Sequence, residues 1–368
     1  MKILHLSKYH FPEKGGVENV VNNLVKVSFE GMINDVLCFD KNSNKIEKQT
    51  FSTIYHSKSF FNLFSQPISI TYLYRIWRLV NNYDILHVHL PNPFAVLGLY
   101  LCPKIKPKII IHWHSDIVEQ KFIYFFIQKI QKNILKKSSK IIFTSKNYLA
   151  ATNQIFDFHN KCQIIPIGIP DIDEIKAPTI DQQYQKEIQV TSIGRLVTYK
   201  GFDKLILAAK LIDNNVKISI VGNGPLYSEL RKLVNSNNLE NKVDFLGKLS
   251  DLELIKVLKS TDIFCLPSIS RNEAFGVVLL EAMSNSLPIV CYDIEGSGVP
   301  WVVQNHFNGL VVENGNIEEL ASAINQLASS SDLRKTYGNN SRERFLKYFK
   351  VNKMLQEFHD LYQNVLER

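Results

Sequence analysis

Glu273 and Glu281 stand eight positions apart in ISRNEAFGVVLLEAM (Ile269–Met283), around a run of small and apolar residues. Paired carboxylates carry out glycoside hydrolysis, where retaining enzymes hold them about 5 to 5.5 Å apart and inverting enzymes about 6.5 to 9.5 Å. Eight helical residues at 1.5 Å each predict a separation of roughly 12 Å. That is too far for a hydrolytic pair, and the alternative is a long ligand gripped at both ends. A buried amphipathic helix whose glutamates only reach solvent explains the same stretch without any chemistry.

A second group lies in VTSIGRLVTYKGFDKLILAAK (Val190–Lys210). A strand-like run ends at Ile193, Gly194 supplies a tight turn, and Arg195 and Lys200 follow before a helix that starts near Phe202. Two cations at the carboxyl end of a parallel strand form a diphosphate clamp; a Gly-Arg turn with solvated side chains is the plainer reading. VGNGPLYSEL then places Gly222 and Gly224 where a ligand can approach the backbone, with Pro225 opening a helix. A simple turn explains that pair too, since a lone G-x-G is not a dinucleotide fingerprint.

Two H-x-H pairs, His87/His89 and His112/His114, fall on candidate neighbouring strands, and alternation puts both members of each pair on one face. Four imidazoles there could ligate zinc, which makes a zinc-dependent hydrolase the rival of another class. Against it, no acidic bridging ligand is evident nearby, and the cations of the second half would have no task.

These groups need elements to hold them. Strands are expected at Lys2–Leu6, Asp35–Phe39, Asp84–His89, Lys108–Trp113 and Lys140–Thr144, with helices over Val17–Phe29, Ser69–Asn81 and Phe122–Lys136. After a Pro-, Gly- and Asp-rich linker, Pro166–Gln185, strands recur at Ile188–Ile193, Lys217–Val221, Lys242–Leu246, Asp262–Leu266 and Pro288–Tyr292. The alternation predicts an α/β chain of two doubly wound parallel-sheet domains, over 1–168 and 186–344, whose ligands bind at the carboxyl ends of the strands. The final segment is helical in pattern, and about 345–368 is expected to pack back on the first domain.

At 368 residues, with 45% hydrophobic and 21% charged, the chain is long and apolar enough for two cores. The N-terminus predicts no secretion signal, and Pro93–Pro103, the longest apolar run, is far short of the roughly 20 residues that cross a bilayer. Five scattered cysteines without a C-x-x-C pairing suit reduced thiols in a cytoplasm. The net charge of +8 is unevenly placed: residues 1–180 hold 22 Lys+Arg against 13 Asp+Glu, and the remainder 21 against 22. Lys121–Lys140 carries six lysines and no acid, with Phe122, Ile123, Phe125, Phe126, Ile130 and Leu135 at mostly helical spacing. This pattern suits an anionic membrane surface, and equally an ordinary helix with a buried aromatic face. Nucleic acid is disfavoured, because no reading motif accompanies the charge.

GGVE (Gly15–Glu18), HSD (His114–Asp116), GR…KG (Gly194, Arg195, Lys200, Gly201), GNGP (Gly222–Pro225), FLG (Phe245–Gly247) and E-x7-E (Glu273, Glu281) occur in this order. Together they resemble the retaining glycosyltransferases of family 4, along nearly the whole chain. The resemblance implies the GT-B fold, two Rossmann-like domains facing across a cleft, and a nucleotide-sugar donor. It implies that Glu281 grips the ribose and Glu273 the hexose. The diphosphate between them would meet backbone amides of Phe275, Gly276 and Val277 at a helix N-terminus, with Arg195 and Lys200 offsetting its charge. Gly15 and Gly16 would let the first domain's backbone close over the donor, and Gly222 would admit it near the second. His114 would hydrogen-bond the transferred sugar. The family is metal-independent, so the D-x-D triplet Asp171–Asp173, which binds manganese in another glycosyltransferase fold, reads here as a solvated acidic turn.

HSDI followed by Gln120-Lys121 is similar to bacterial O-antigen mannosyltransferases within the family, which implies mannose from GDP-mannose. A UDP-hexose or UDP-N-acetylhexosamine is the alternative. The implied acceptor is a lipid-linked or growing glycan of O-antigen or capsule, met at the inner face of the cytoplasmic membrane by a peripheral, cytoplasmic enzyme.

Overall fold

Short β-branched runs alternating with helices build two parallel sheets, one in each unit into which contacts divide the chain: Met1–Ile167 with Val351–Arg368, and Gly168–Lys350. The computed structural model describes residues 1–11, 15–26, 29, 31–63, 66–117, 121–174 and 187–367.

The first unit contains β1 (Lys2–Leu6), β2 (Ile33–Asp40), β3 (Lys45–Lys48), β4 (Thr53–Lys58), β5 (Phe61–Leu63), β6 (Gln66–Ile68), β7 (Ile85–Leu90), β8 (Lys108–Trp113), β9 (Lys140–Phe143) and β10 (Cys162–Ile164). Its helices are α1 (Gly16–Lys26), α2 (Ile70–Leu79), α3 (Pro93–Leu101), α4 (Lys121–Lys137) and α5 (Lys146–Ala151). The main sheet runs β10-β9-β8-β7-β1-β2-β4-β3, parallel except at the β3–β4 edge, and β5 pairs β6 in a separate ribbon. From β1 the chain moves outward through β2 and β4, then returns to lay β7 against the other edge of β1. That reversal makes the carboxyl ends of β1 and β7 a topological switch point. All of β7 and nearly all of β8 are buried, as expected of central parallel strands covered on both faces. Ser69 caps α2 by accepting from the Tyr72 amide, and Asn92 caps α3 by accepting from Ala95 with Pro93 in the first turn.

The second unit contains β11 (Ile188–Ile193), β12 (Val216–Val221), β13 (Val243–Gly247), β14 (Ile263–Leu266), β15 (Ile289–Tyr292) and β16 (Gly309–Val312). Its helices are α6 (Phe202–Ala208), α7 (Tyr227–Ser236), α8 (Asp251–Lys259), α9 (Val277–Ser284), α10 (Val299–Val302), α11 (Ile317–Ser329) and α12 (Ser331–Tyr348). Its strand order is β13-β12-β11-β14-β15-β16, the doubly wound 3-2-1-4-5-6 arrangement, whose switch point lies between β11 and β14. The last helix, α13 (Val351–Leu366), belongs to the first unit.

The acidic triplet departs from expectation. Residues 175–186 of the expected linker lie outside the described residues, but Asp171 is buried rather than solvated. The Arg342 guanidinium on α12 donates to both of its carboxylate oxygens, at 2.6 and 3.0 Å, and also to Asp173. Lys350 stands 3.7 Å away. Burial alone would raise the Asp171 carboxyl, but Arg342, the Asp173 amide and Lys350 together hold it below its ordinary value. The triplet is an ion-pair latch between the start of this unit and its α12.

Candidate active site

In the second unit, three loops meet at the carboxyl ends of β11, β14 and β15. After β11, residues 198–200 form a single 3-10 turn that carries Lys200 into the interior. The Ile269 amide donates to Tyr199 O, tying that turn to the loop after β14. Within the β14 loop Glu273 is buried, and its carboxylate receives the Lys200 ammonium and, at 2.9 Å, the Ser268 hydroxyl. Beyond β15, Ser297 donates to Glu273 O and the Gly298 amide to Ala274 O. Burial would push the Lys200 ammonium down, yet the Glu273 carboxylate, with smaller help from Tyr199 and Glu281, raises it above its usual value. Lys200 is therefore charged at neutral pH.

The two glutamates do not share a helix. Gly276 adopts φ +77°, where a side chain would be strained, and α9 begins only at Val277. Glu273 sits in the loop and Glu281 in the second turn of α9, half-buried, so the helical estimate of their separation does not apply. What joins them is Lys200, whose charge senses both. No side chain caps α9; the Leu279 amide turns back onto Gly276 O at 2.8 Å, and the helix dipole favours an anion at this end.

The remaining expected positions fall in different settings. Arg195 is exposed beside the buried Lys200 turn. The Phe275 side chain is core, packed against Trp301 and Phe349, which leaves only its backbone for a ligand. Gly222 has φ +136°, and a Cβ there would lie 1.9 Å from Gly194 O. Close packing of the β11 and β12 loops thus requires this glycine, whatever approaches from outside. Gly15 and Gly16 lie at the N-terminus of α1 in the first unit. Ser268 and Ser297, which orient Glu273, were not singled out from sequence; their only signal is their place just after strands β14 and β15.

In the first unit the two H-x-H pairs do meet, since His89 lies in register with His112. A fifth histidine joins them, because β1 sets His5 opposite His87. All five are buried, with α13 laid over them: Phe358 packs on His87 and His112, and the Tyr362 hydroxyl lies 2.6 Å from His87 Nδ1. Burial pushes His5 down to about 4 and His114 to about 3, and holds His87, His89 and His112 well below the ordinary range, so the cluster is neutral at pH 7. Two sets, His5/His87/His89 and His89/His112/His114, have ring nitrogens within 4.8 Å of one another and could share a cation. Both consist of histidine alone, and a buried divalent ion would find no anionic ligand in them to offset its charge. Asp116 of the HSD motif is structural: it accepts from Trp113 Nε1 at 2.9 Å and from Thr152 at 2.7 Å, locking the loop after β8.

Comparison with known proteins bears on both units. Residues 14–171 match Glycosyltransferase Family 4, and residues 173–344 match the glycosyl transferases group 1. The chain is 29% identical to O-antigen chain mannosyltransferase C of Escherichia coli over 374 residues, covering 100% of this chain and 99% of that protein. It is 30% identical to an uncharacterized glycosyltransferase of Methanocaldococcus jannaschii, covering 99% of each. Among solved structures, Anabaena HepE in complex with UDP and glucose superposes with a TM-score of 0.78 at 20% identity, over 99% of this chain and 100% of that one. Its fold is the two-domain GT-B arrangement.

Proposed function

This chain belongs to the glycosyltransferases of Glycosyltransferase Family 4 and glycosyl transferases group 1, and we propose that it moves a hexose from a nucleotide-sugar to a growing, lipid-linked glycan with retention of configuration. The observation that carries this reading is in the second unit. An uncapped helix N-terminus, an exposed Arg195 and a charged Lys200 stand together at the carboxyl-end switch point, where a doubly wound sheet receives phosphates.

The diphosphate sits on the α9 amides at Gly276 and Val277, beside Arg195. Glu281 holds the ribose, and Glu273, fixed by Lys200 and Ser268, receives hydroxyls of the hexose. As negative charge grows on the departing nucleoside diphosphate, these fixed donors stabilise it, and the reaction needs no metal ion for that task. His114 hydrogen-bonds the sugar, with no protein nucleophile in the reaction.

GDP-mannose is the proposed donor and an O-antigen or related surface glycan the proposed product, on the strength of the mannosyltransferase similarity. A thermal-shift screen tests both the class and the donor, since a ligand that binds only folded protein raises its melting temperature. GDP-mannose should do so; a response to UDP-hexose or UDP-N-acetylhexosamine alone would move the donor assignment, and no response to any nucleotide-sugar would remove the class. Glu281→Ala should weaken donor binding about 10- to 100-fold, the value of one or two hydrogen bonds to a charged group, as read by titration calorimetry. Unchanged affinity would take Glu281 out of the site.

No described helix is long and apolar enough to cross a membrane. Peripheral contact at the inner membrane face is proposed instead, on a surface other than the aromatic face of Lys121–Lys140. Of the apolar side chains described on α4, Ile134 and Leu135 are buried and Ile130 partly so. The side chains of Phe122, Ile123, Phe125 and Phe126, and all of Gln120, lie outside the described residues. Exposed apolar surface is found on α2 and α3: Ile70 (71% exposed), Tyr74 and Trp77 (56%) lie along one stripe, beside Leu101, and Tyr100 is exposed on α3 as well. Lys104 and Lys106 follow α3, while Lys136 and Lys137 stand exposed on α4, so tyrosine, tryptophan and cations suit an anionic interface. Ile70→Glu with Trp77→Glu should release the protein from anionic vesicles in a flotation assay. Retained binding by that variant would rule out this surface.

A further inference from the structure

The histidine cluster contains a chain of hydrogen bonds with a fixed direction. Its anchor is Asn34 on β2, buried, whose amide nitrogen donates to Leu24 O at 3.1 Å. That carbonyl lies in the last turn of α1, where intrahelical donors run out. The donation leaves the Asn34 oxygen facing His5 Nε2 at 3.3 Å, and since that oxygen only accepts, His5 Nε2 carries the proton. A neutral imidazole has one N–H, so His5 Nδ1 is a bare acceptor and takes its 3.1 Å bond from His89 Nε2. By the same rule His89 Nδ1 accepts, and its partner at 3.0 Å, His114 Nε2, donates. Each link requires a neutral ring, which full burial without a carboxylate partner enforces.

We propose that Asn34, His5 and His89 are positioning residues that hold His114 as its Nε2–H tautomer and present the Nδ1 lone pair to a hydroxyl of the transferred sugar. The sugar-facing half of this statement rests on the glycosyl-transfer reading. His114 Nδ1 takes no hydrogen bond from the described residues, and His114 is the member at the carboxyl end of its strand, with its own amide held by Leu90 O at 3.0 Å. His87 and His112 stand outside the chain. His87 is bound to Tyr362, and both ring nitrogens of His112 are buried without a hydrogen-bond partner among the described residues, so His112 contributes its stacked ring, 3.9 Å from that of His114.

The test is a long-range proton–nitrogen spectrum of the full chain labelled at histidine, with His114 assigned through His114→Gln. Wild type should show His114 with Nε2 protonated and Nδ1 bare across pH 6 to 8. His89→Phe and Asn34→Leu should turn His114 into a mixture of tautomers and lower kcat/KM about tenfold, the worth of one oriented hydrogen bond. His112→Phe, which keeps the stacked ring, should leave the tautomer as in wild type. A proton on Nδ1 of His114 in wild type, or ring shifts that mark a bound metal, overturns the proposal even if every variant misfolds. Wild-type protein that holds this tautomer yet binds no nucleotide-sugar sinks the glycosyl-transfer reading instead, and with it the role toward the sugar.

Discussion

Lys200→Met combined with Glu273→Leu should yield a protein about as stable as wild type whose sugar transfer is slowed at least about 100-fold. Either change alone should cost about 3 to 5 kcal/mol. The asymmetry follows from burial. Both groups are largely withdrawn from water, so removing one leaves the other as an uncompensated charge, whereas an apolar pair of similar volume leaves no charge to desolvate. Stability alone therefore cannot separate scaffold from chemistry at this pair, but the double variant can. If Lys200 and Glu273 act on the donor, its turnover should fall at least about 100-fold, the usual cost of removing one preorganised donor near developing charge. The comparison is a double-mutant cycle on unfolding, read by hydrogen exchange in β11 and β14, beside transfer kinetics. A double variant with wild-type turnover would make the pair purely structural.

Arg342→Ala should destabilise the second unit by about 3 kcal/mol while leaving donor affinity unchanged. It removes both guanidinium bonds from the buried Asp171 carboxylate, which keeps the Asp173 amide and the more distant Lys350. The effect has a pH signature whose sign follows from the depressed carboxyl. A group with its folded pKa lowered stabilises above its unfolded value, about 3.9, and loses that contribution as pH falls through the folded one. Wild type and Arg342→Ala should thus differ fully at pH 7 and converge in acid. A difference that persists unchanged to pH 2 would mean that Arg342 acts through packing, for example through its contact with the Phe345 ring.

The alternation of elements was legible because central parallel strands read as apolar runs: β1, β8 and β11 begin and end where those runs do. Strands β3, β4, β5, β6, β10 and β16 were not expected. β3 is exposed, β4 carries His56 and Ser57 among its six residues, and β5, β6 and β10 are only three residues long, so none of these offers a clear pattern. At the site, the Gly194 turn and the helix start at Phe202 followed from local chemistry. The Lys200–Glu273 pair did not, because 73 residues separate its members and only the β11–β14 adjacency brings them together. His5 was hidden for the same reason: one histidine in KILHL carries no pattern until strand register sets it beside His87. Asp171 looked solvated because Arg342, its partner, lies 171 residues away.

A structure of the second unit's site with bound nucleoside diphosphate, solved on the full chain, tests the central claim most directly. The account expects phosphate oxygens on the Gly276 and Val277 amides and on Arg195, with the ribose hydroxyls on Glu281. A diphosphate bound elsewhere on the chain, with Arg195 in bulk water and the N-terminus of α9 hydrated, would contradict it.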